Sequence, residues 1–246
     1  MPLVTTSALC LRKVDFSETS QILTLLTAQM GVVGAIAKGA KREKSSVGGP
    51  LDLMSLYQVV LYDRSKRDVL NILAQAELVD FFPGARLSHD AFLGAETIRE
   101  LLLAIEVGPA DGAAVLIAAV KALRGLGNTN PHQVVAEFAL GLLRILGTEP
   151  VLTHCVVSGK QPSGRVAVNF SMHEMGLVSP PHIEGRADLV KLSARTVRAL
   201  LALSGGGARP EVDGWQGAST LLAGLVALQG GRKLKTVPPL QGTQAL

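Results

Sequence analysis

The sequence predicts an α+β protein, a small closed five-stranded β-barrel over residues 1–80 followed by a helical domain over 81–246. Three observations predict it. Short β-type segments rich in Val, Leu and Ile fill the first third of the chain. At Phe82-Pro83-Gly84 the apolar period changes, and beyond it most apolar residues recur at helical intervals of three and four. The 246 residues, 48% hydrophobic and 18% charged, are enough for one or two folded domains with a sizeable core.

The barrel is read in order. An apolar strand passes through Leu9-Cys10-Leu11, and the polar turn Asp15-Phe16-Ser17-Glu18-Thr19 ends it. Two β segments follow, Gln21 to Ala28 and Val32 to Lys38, joined at Gln29-Met30-Gly31, where the tight reversal needs a residue that tolerates positive φ. After Gly48-Gly49-Pro50, the segments Leu53 to Tyr62 and Val69 to Val79 make five, and closure removes their exposed edges. The alternations Leu9, Leu11, Lys13 and Ile22, Thr24, Leu26 suggest strands with one face to a core. The turn Asp63 to Asp68 reads as a hairpin tip.

Helices are predicted from Ser88 to Val107, from Asp111 to Leu126 with Asp111 as cap, and from Asn130-Pro131 to Gly147 with Asn130 as cap. Between Pro150 and Glu184 the pattern loosens, with one short strand pair around Val166 to Phe170 and Gly176 to Val178. Two more helices, Ser193 to Leu203 and Trp215 to Leu228, flank Gly205-Gly206-Gly207, and Trp215 is read as a buried helix-start anchor. A loose tail runs from Pro238 to Leu246.

Charge placement points to a partner. The formal net charge is +4 and the pI about 9.2. Lys38, Lys41, Arg42 and Lys44 crowd into one connector with a single acid, Glu43, as a mobile cationic arm. Arg12 and Lys13, and Arg64, Lys66 and Arg67, fall at strand ends of the same small domain. Gathered on one barrel face, these nine residues would neutralise several phosphates, as in oligonucleotide-binding barrels. The competing reading is a solvated surface loop. Tyr57 and Tyr62 are five residues apart on one strand and point to opposite faces, so at most one can stack on a base. Phe16, Phe81 and Phe82 are assigned to core or domain-junction packing. Binding is therefore expected to be electrostatic and weakly sequence-specific.

Enzyme chemistry finds no support. His89, His132, His154, His173 and His182 are scattered, no GxSxG or Walker loop occurs, and Gly31-Val32-Val33-Gly34 sits in a hairpin rather than opening a helix. Cys10 and Cys155 are far apart, the opening MPLVTTSALC lacks a basic n-region and long apolar h-region, and the apolar run Gly112 to Ala122 is too short to span a bilayer. A reducing, cytoplasmic setting without disulfide or membrane is expected.

Several runs carry a family likeness. Asp15-Phe16-Ser17-Glu18-Thr19, Leu25-Leu26-Thr27, Gly31 and Ala37-Lys38-Gly39-Ala40-Lys41-Arg42 through Ser45 resemble, in order and spacing, the amino-terminal signature of the RecO family of bacterial DNA repair proteins. Phe138, Leu142-Leu143, Leu146-Gly147 and Pro150 resemble that family's helix leading to its metal-binding insertion, and Lys233-Leu234-Lys235-Thr236 its basic carboxy-terminal ending.

The resemblance implies an oligonucleotide-binding (OB-fold) barrel and a helical domain with a zinc-finger-like insertion, here 150–184. In many members two CxxC-like pairs hold zinc. At the corresponding positions this chain has Cys155, Ser158, Ser179 and His182, of which only Cys155 and His182 bind zinc well. The insertion is read as degenerate, without a zinc cofactor, held instead by packing of Val156, Val157, Phe170 and Leu177. The resemblance further implies a recombination mediator in the nucleoid. It would bind single- and double-stranded DNA, anneal complementary strands and, with RecR, help load RecA onto strands coated by single-stranded DNA-binding protein, whose acidic C-terminal tail it would receive. The alternative is an interaction scaffold whose barrel does not touch DNA.

Overall fold

A computed structural model describes residues 2–45, 47–64, 69–180, 182–184, 186, 188–205 and 213–238. Lys66 and Arg67, Gly206-Gly207 and the tail beyond Pro238 lie outside the described residues. Backbone contacts divide the chain into two compact units, Met1–Gly127 and Asn128–Leu246.

The first unit begins with β1 (Leu3–Asp15), β2 (Gln21–Thr27), β3 (Gly31–Ala37), β4 (Leu56–Tyr62) and β5 (Asn71–Asp80). They close into a barrel in the order β1-β2-β3-β5-β4, with β3 and β5 parallel and the other pairs antiparallel. This is the expected α+β start, a five-stranded barrel followed by helices.

The barrel interior is filled by Ala8, Cys10, Leu23, Leu25, Ala35, Ala37, Tyr57, Val59, Leu61 and Leu73. The expected alternation was therefore out of phase on the first two strands. Leu9, Leu11 and Leu26 are also fully buried, on the outer side. Leu9-Cys10-Leu11 is apolar on both faces, so its pattern alone could not say which face looks inward. A bulge between Cys10 and Arg12 shifts the register and leaves Leu11 without a β2 partner.

Outer-face burial comes from α1 (His89–Ala104), which packs on β1, and α2 (Pro109–Gly125), which packs on β2 and β3. The first compact unit thus extends beyond the barrel to Gly127. Ser88 caps α1, its Oγ accepting from the Ala91 N–H at 3.1 Å. The expected cap Asp111 instead lies in the first turn of α2. Gly108 takes the cap position because Pro109 supplies the φ of the first helical residue and lacks only an N–H the helix leaves unpaired anyway.

Gly31 (φ 67°) fits the expected reversal, and a second constraint acts on it. A Cβ there would lie 2.1 Å from the Val107 carbonyl oxygen, because the β2–β3 turn nests into the α1–α2 connection. The Val32 N–H donates to Val107 O at 3.0 Å. Gly112 meets the same turn from the other side, where a Cβ would lie 2.7 Å from Thr27 O. Phe82 is buried with φ 51°, while Phe81 is half exposed.

In the second unit, α3 (Pro131–Ile145) starts as expected, with the Asn130 side chain accepting from the His132 and Gln133 N–H groups. The loose stretch holds more than one strand pair. β6 (Val151–Cys155), β7 (Val168–Ser171), β8 (Gly176–Val178) and β9 (Leu189–Leu192) form a sheet in the order β6-β8-β7-β9. Strands of three to five residues carry too few alternations to stand out in sequence. The remaining helices are α4 (Ala194–Ser204) and α5 (Trp215–Gln229), with Trp215 buried at the start of α5. Among the described residues, no helix is long and apolar enough to cross a membrane.

Candidate nucleic-acid interface

The connector after β3 is pinned to the barrel at both ends, which differs from the free arm its composition suggests. Ala40, Val47 and Leu51 belong to the barrel core. Gly39 (φ 69°) makes the turn that leaves β3, and the Arg42 N–H returns to Gly39 O at 3.1 Å. At the far end the Leu51 N–H donates to the buried Gln21 side chain at 3.1 Å.

The β1–β2 turn is held by its own polar groups. The Phe16 N–H donates to Ser20 O at 3.0 Å, and Ser17 Oγ accepts from the Ser20 N–H at 3.1 Å. Connector and turn are joined twice, by the Lys41 N–H to Thr19 O at 3.1 Å and by Lys41 Nζ to Asp15 Oδ2 at 2.9 Å. That ion pair, chiefly through the Lys41 hydrogen bond, holds the Asp15 carboxyl below the usual carboxylate range.

Turn and connector enclose a depression of about 330 Å³, with Phe16 and Ile36 beside Lys38, Arg42 and Lys44. Its other lining residues are neutral, and none of these three cations is ion-paired among the described residues. All three are exposed. Phe16 is 64% exposed, contrary to the packing role assigned to it. The turn that bears it is polar on both sides and offers no apolar cover. An aromatic residue inside a polar inter-strand turn was the signal available in the sequence.

The remaining predicted cations are placed differently. Lys13 pairs with Asp52 at 2.8 Å and faces a separate cleft of about 750 Å³ lined also by Arg86, His89 and Phe92. Arg12 is exposed on β1; its partner across the ladder is Thr24, whereas Lys13 stands opposite the core residue Leu23, so the two basic neighbours look to opposite faces. Arg64 is exposed, and its N–H bonds Asn71 Oδ1 at 3.0 Å while Asn71 Nδ2 donates to Gly34 O at 3.2 Å, tethering that turn to β3. Lys66 and Arg67 lie outside the described residues. Tyr57 is buried and its hydroxyl accepts from the Asp52 N–H at 2.9 Å, while Tyr62 is exposed, as their spacing requires.

In the second unit, Ser158, Ser179 and His182 line one depression of about 370 Å³, and Cys155 lies against it. Cys155 Sγ accepts from the Ser179 N–H at 3.3 Å. Burial would raise this thiol, but hydrogen bonds from the Ser158 hydroxyl and from the Ser179, Ser158 and Val157 N–H groups outweigh it and bring the pKa down to about 7. Among the described residues no cluster of three or more His, Cys, Asp or Glu side chains could hold a metal ion. One thiol already occupied by N–H donors, one imidazole and two hydroxyls do not fit a tetrahedral zinc.

Comparison with known proteins places both units. Residues 1–82 match the family described as "Recombination protein O N terminal" and residues 86–238 the one described as "Recombination protein O C terminal". The chain is 32% identical over 200 residues to the DNA repair protein RecO of Rhodopirellula baltica, covering 80% of this chain and 73% of that one. It is 34% identical over 211 residues to the DNA repair protein RecO of Anaeromyxobacter sp. (strain K), covering 84% and 81%. With both family descriptions matched in tandem over a five-stranded barrel and the helices that follow it, the chain belongs to the RecO family of DNA repair and recombination proteins.

Proposed function

We propose that this chain acts by binding DNA through the barrel end formed by the β1–β2 turn and the connector after β3. The observation that carries the reading is the cluster of Lys38, Arg42 and Lys44 around one depression with no acid in its lining. Such a cluster attracts phosphates and releases their counterions, so affinity falls as salt rises. Arg12 and Arg64 are exposed on the same barrel but line no part of this depression, and Lys41 contributes through the turn it holds.

Screening the repulsion between two strands at this surface would speed annealing without breaking any bond, so a non-enzymatic mediator role is proposed. Cooperation with RecR in loading RecA, and capture of the acidic tail of single-stranded DNA-binding protein, follow from family membership and are proposed on that ground. A cytoplasmic, nucleoid-associated location and a zinc-free insertion complete the reading; elemental analysis of purified protein should find no zinc.

The test is annealing of complementary oligonucleotides, with filter binding across a salt series, by wild type beside a Lys38→Ala, Arg42→Ala, Lys44→Ala triple variant. Loss of three phosphate contacts should flatten the log-affinity against log-salt slope for single strands by about 2. Annealing should fall with the folded structure intact. A scaffold that does not touch DNA would show no such slope in either protein, and an unchanged slope in the variant would place DNA elsewhere.

A further inference from the structure

Resting on the proposed DNA-binding reading, we propose that Phe16 is a stacking platform for one unpaired base, which makes the depression selective for single strands over duplex. The phenyl ring of Phe16 is 64% exposed, more than any other aromatic side chain of the described residues, so an aromatic face is open to a ligand. The ring is also poised. Its own N–H and the Ser17 hydroxyl tie the turn, and the Lys41 to Asp15 pair locks that turn to the connector. Less ordering is then needed on binding.

Its surroundings identify the ligand class. Lys38, Arg42 and Lys44 share the depression with the ring, and Ile36 adds apolar lining. An aromatic ring that shares its depression with three cations, while Asp15, Glu18 and Glu43 of the same turn and connector stay outside the lining, suits a ligand that is a flat π-system attached to an anion, which describes a nucleotide within a strand. A volume of about 330 Å³ admits one such unit rather than a helix. Bases in a duplex are already stacked on their neighbours and present only edges and backbone, so a duplex would meet the cations and bypass the ring.

The experiment measures wild type, Phe16→Ala, Phe16→Leu and Phe16→Trp against a fluorescein-labelled single-stranded oligonucleotide and the matching duplex, each over a salt series. Because the residue is exposed, thermal melting should be unchanged in all three variants. Phe16→Ala and Phe16→Leu should weaken single-strand binding about tenfold or more, with the salt slope kept and duplex binding within about twofold of wild type. Phe16→Trp should restore it, and a 2-aminopurine base in the oligonucleotide should be quenched by wild type and not by Phe16→Leu. Wild-type affinity in Phe16→Leu, or equal losses for single strand and duplex in Phe16→Ala, would overturn the stacking role alone. Wild type that binds neither nucleic acid would overturn the DNA-binding reading and this one with it.

Discussion

Lys41 Nζ lies 2.9 Å from Asp15 Oδ2, and this exposed ion pair ties the connector after β3 to the β1–β2 turn. An isolated, solvent-screened surface pair of this kind contributes little to global stability. Its effect is geometric, since it joins the connector that bears Lys38, Arg42 and Lys44 to the turn that bears Phe16.

Lys41→Ala should therefore leave thermal stability nearly unchanged and loosen the connector. Amide exchange over residues 38–44 should rise, and single-strand affinity should drop a few-fold more than loss of one exposed charge explains. Asp15→Asn should do the same although it removes a negative charge. Tighter DNA binding by Asp15→Asn would mean that Asp15 only repels phosphate.

The same pair carries a pH signature. Lys41 depresses the Asp15 carboxyl, so its contribution is fully present above the unfolded value of about 3.9 and is lost as pH falls through the folded value. Connector protection, taken as the exchange rate relative to the intrinsic rate at each pH, should hold from pH 6 down to about 4 and then fall. In Lys41→Ala that acid step should be absent.

Gly31→Ala should destabilise the first unit by roughly 2–5 kcal/mol, combining a positive φ with a clash into the backbone. The open site Gly49 would meet nothing within 4 Å, although its φ of 119° still strains an alanine. Denaturant unfolding of the two variants should rank Gly31→Ala well below Gly49→Ala. Equal losses would mean that the contact with Val107 and Gly108 contributes nothing.

The two cysteines should titrate far apart. Burial in the barrel pushes the Cys10 thiol up to about 12, while hydrogen bonds bring Cys155 down to about 7. Thiolate absorbance near 240 nm should show one native step around neutral pH that Cys155→Ser abolishes and Cys10→Ser leaves in place. With the folded value depressed, the thiolate stabilises the second unit most above the unfolded value and loses that effect as pH falls through about 7. The stability gap between wild type and Cys155→Ser should accordingly widen from pH 6 to pH 9.

Much of this architecture was legible in the residues. Strands with Val, Leu and Ile between turn signals, Asn130-Pro131 at the start of α3 and Gly31 at a reversal each have a local cause that needs no partner. The short strands β6 and β9 were hidden because four or five residues carry no readable period and their pairing is set by distant segments. Phe16 was misassigned for the opposite reason: its polar neighbours in a turn hinted at exposure, and the tertiary structure shows that no element of the described residues covers its ring.

By itself the sequence determined that a β-barrel precedes helices, that the connector after β3 is basic, and that the insertion lacks a full ligand set. The first two follow from residue type, period and spacing along one chain, and the third from setting Cys155, Ser158, Ser179 and His182 against the ligand positions that the family resemblance implies. Tertiary structure alone decided which cations lie together. Arg12 and Lys13 are sequence neighbours on opposite strand faces, Lys13 and Lys41 meet acids 39 and 26 residues away, and Lys38, Arg42 and Lys44 remain around Phe16. The physical reason is that charge interactions depend on distance in space and on solvent between groups, and strand register sets both.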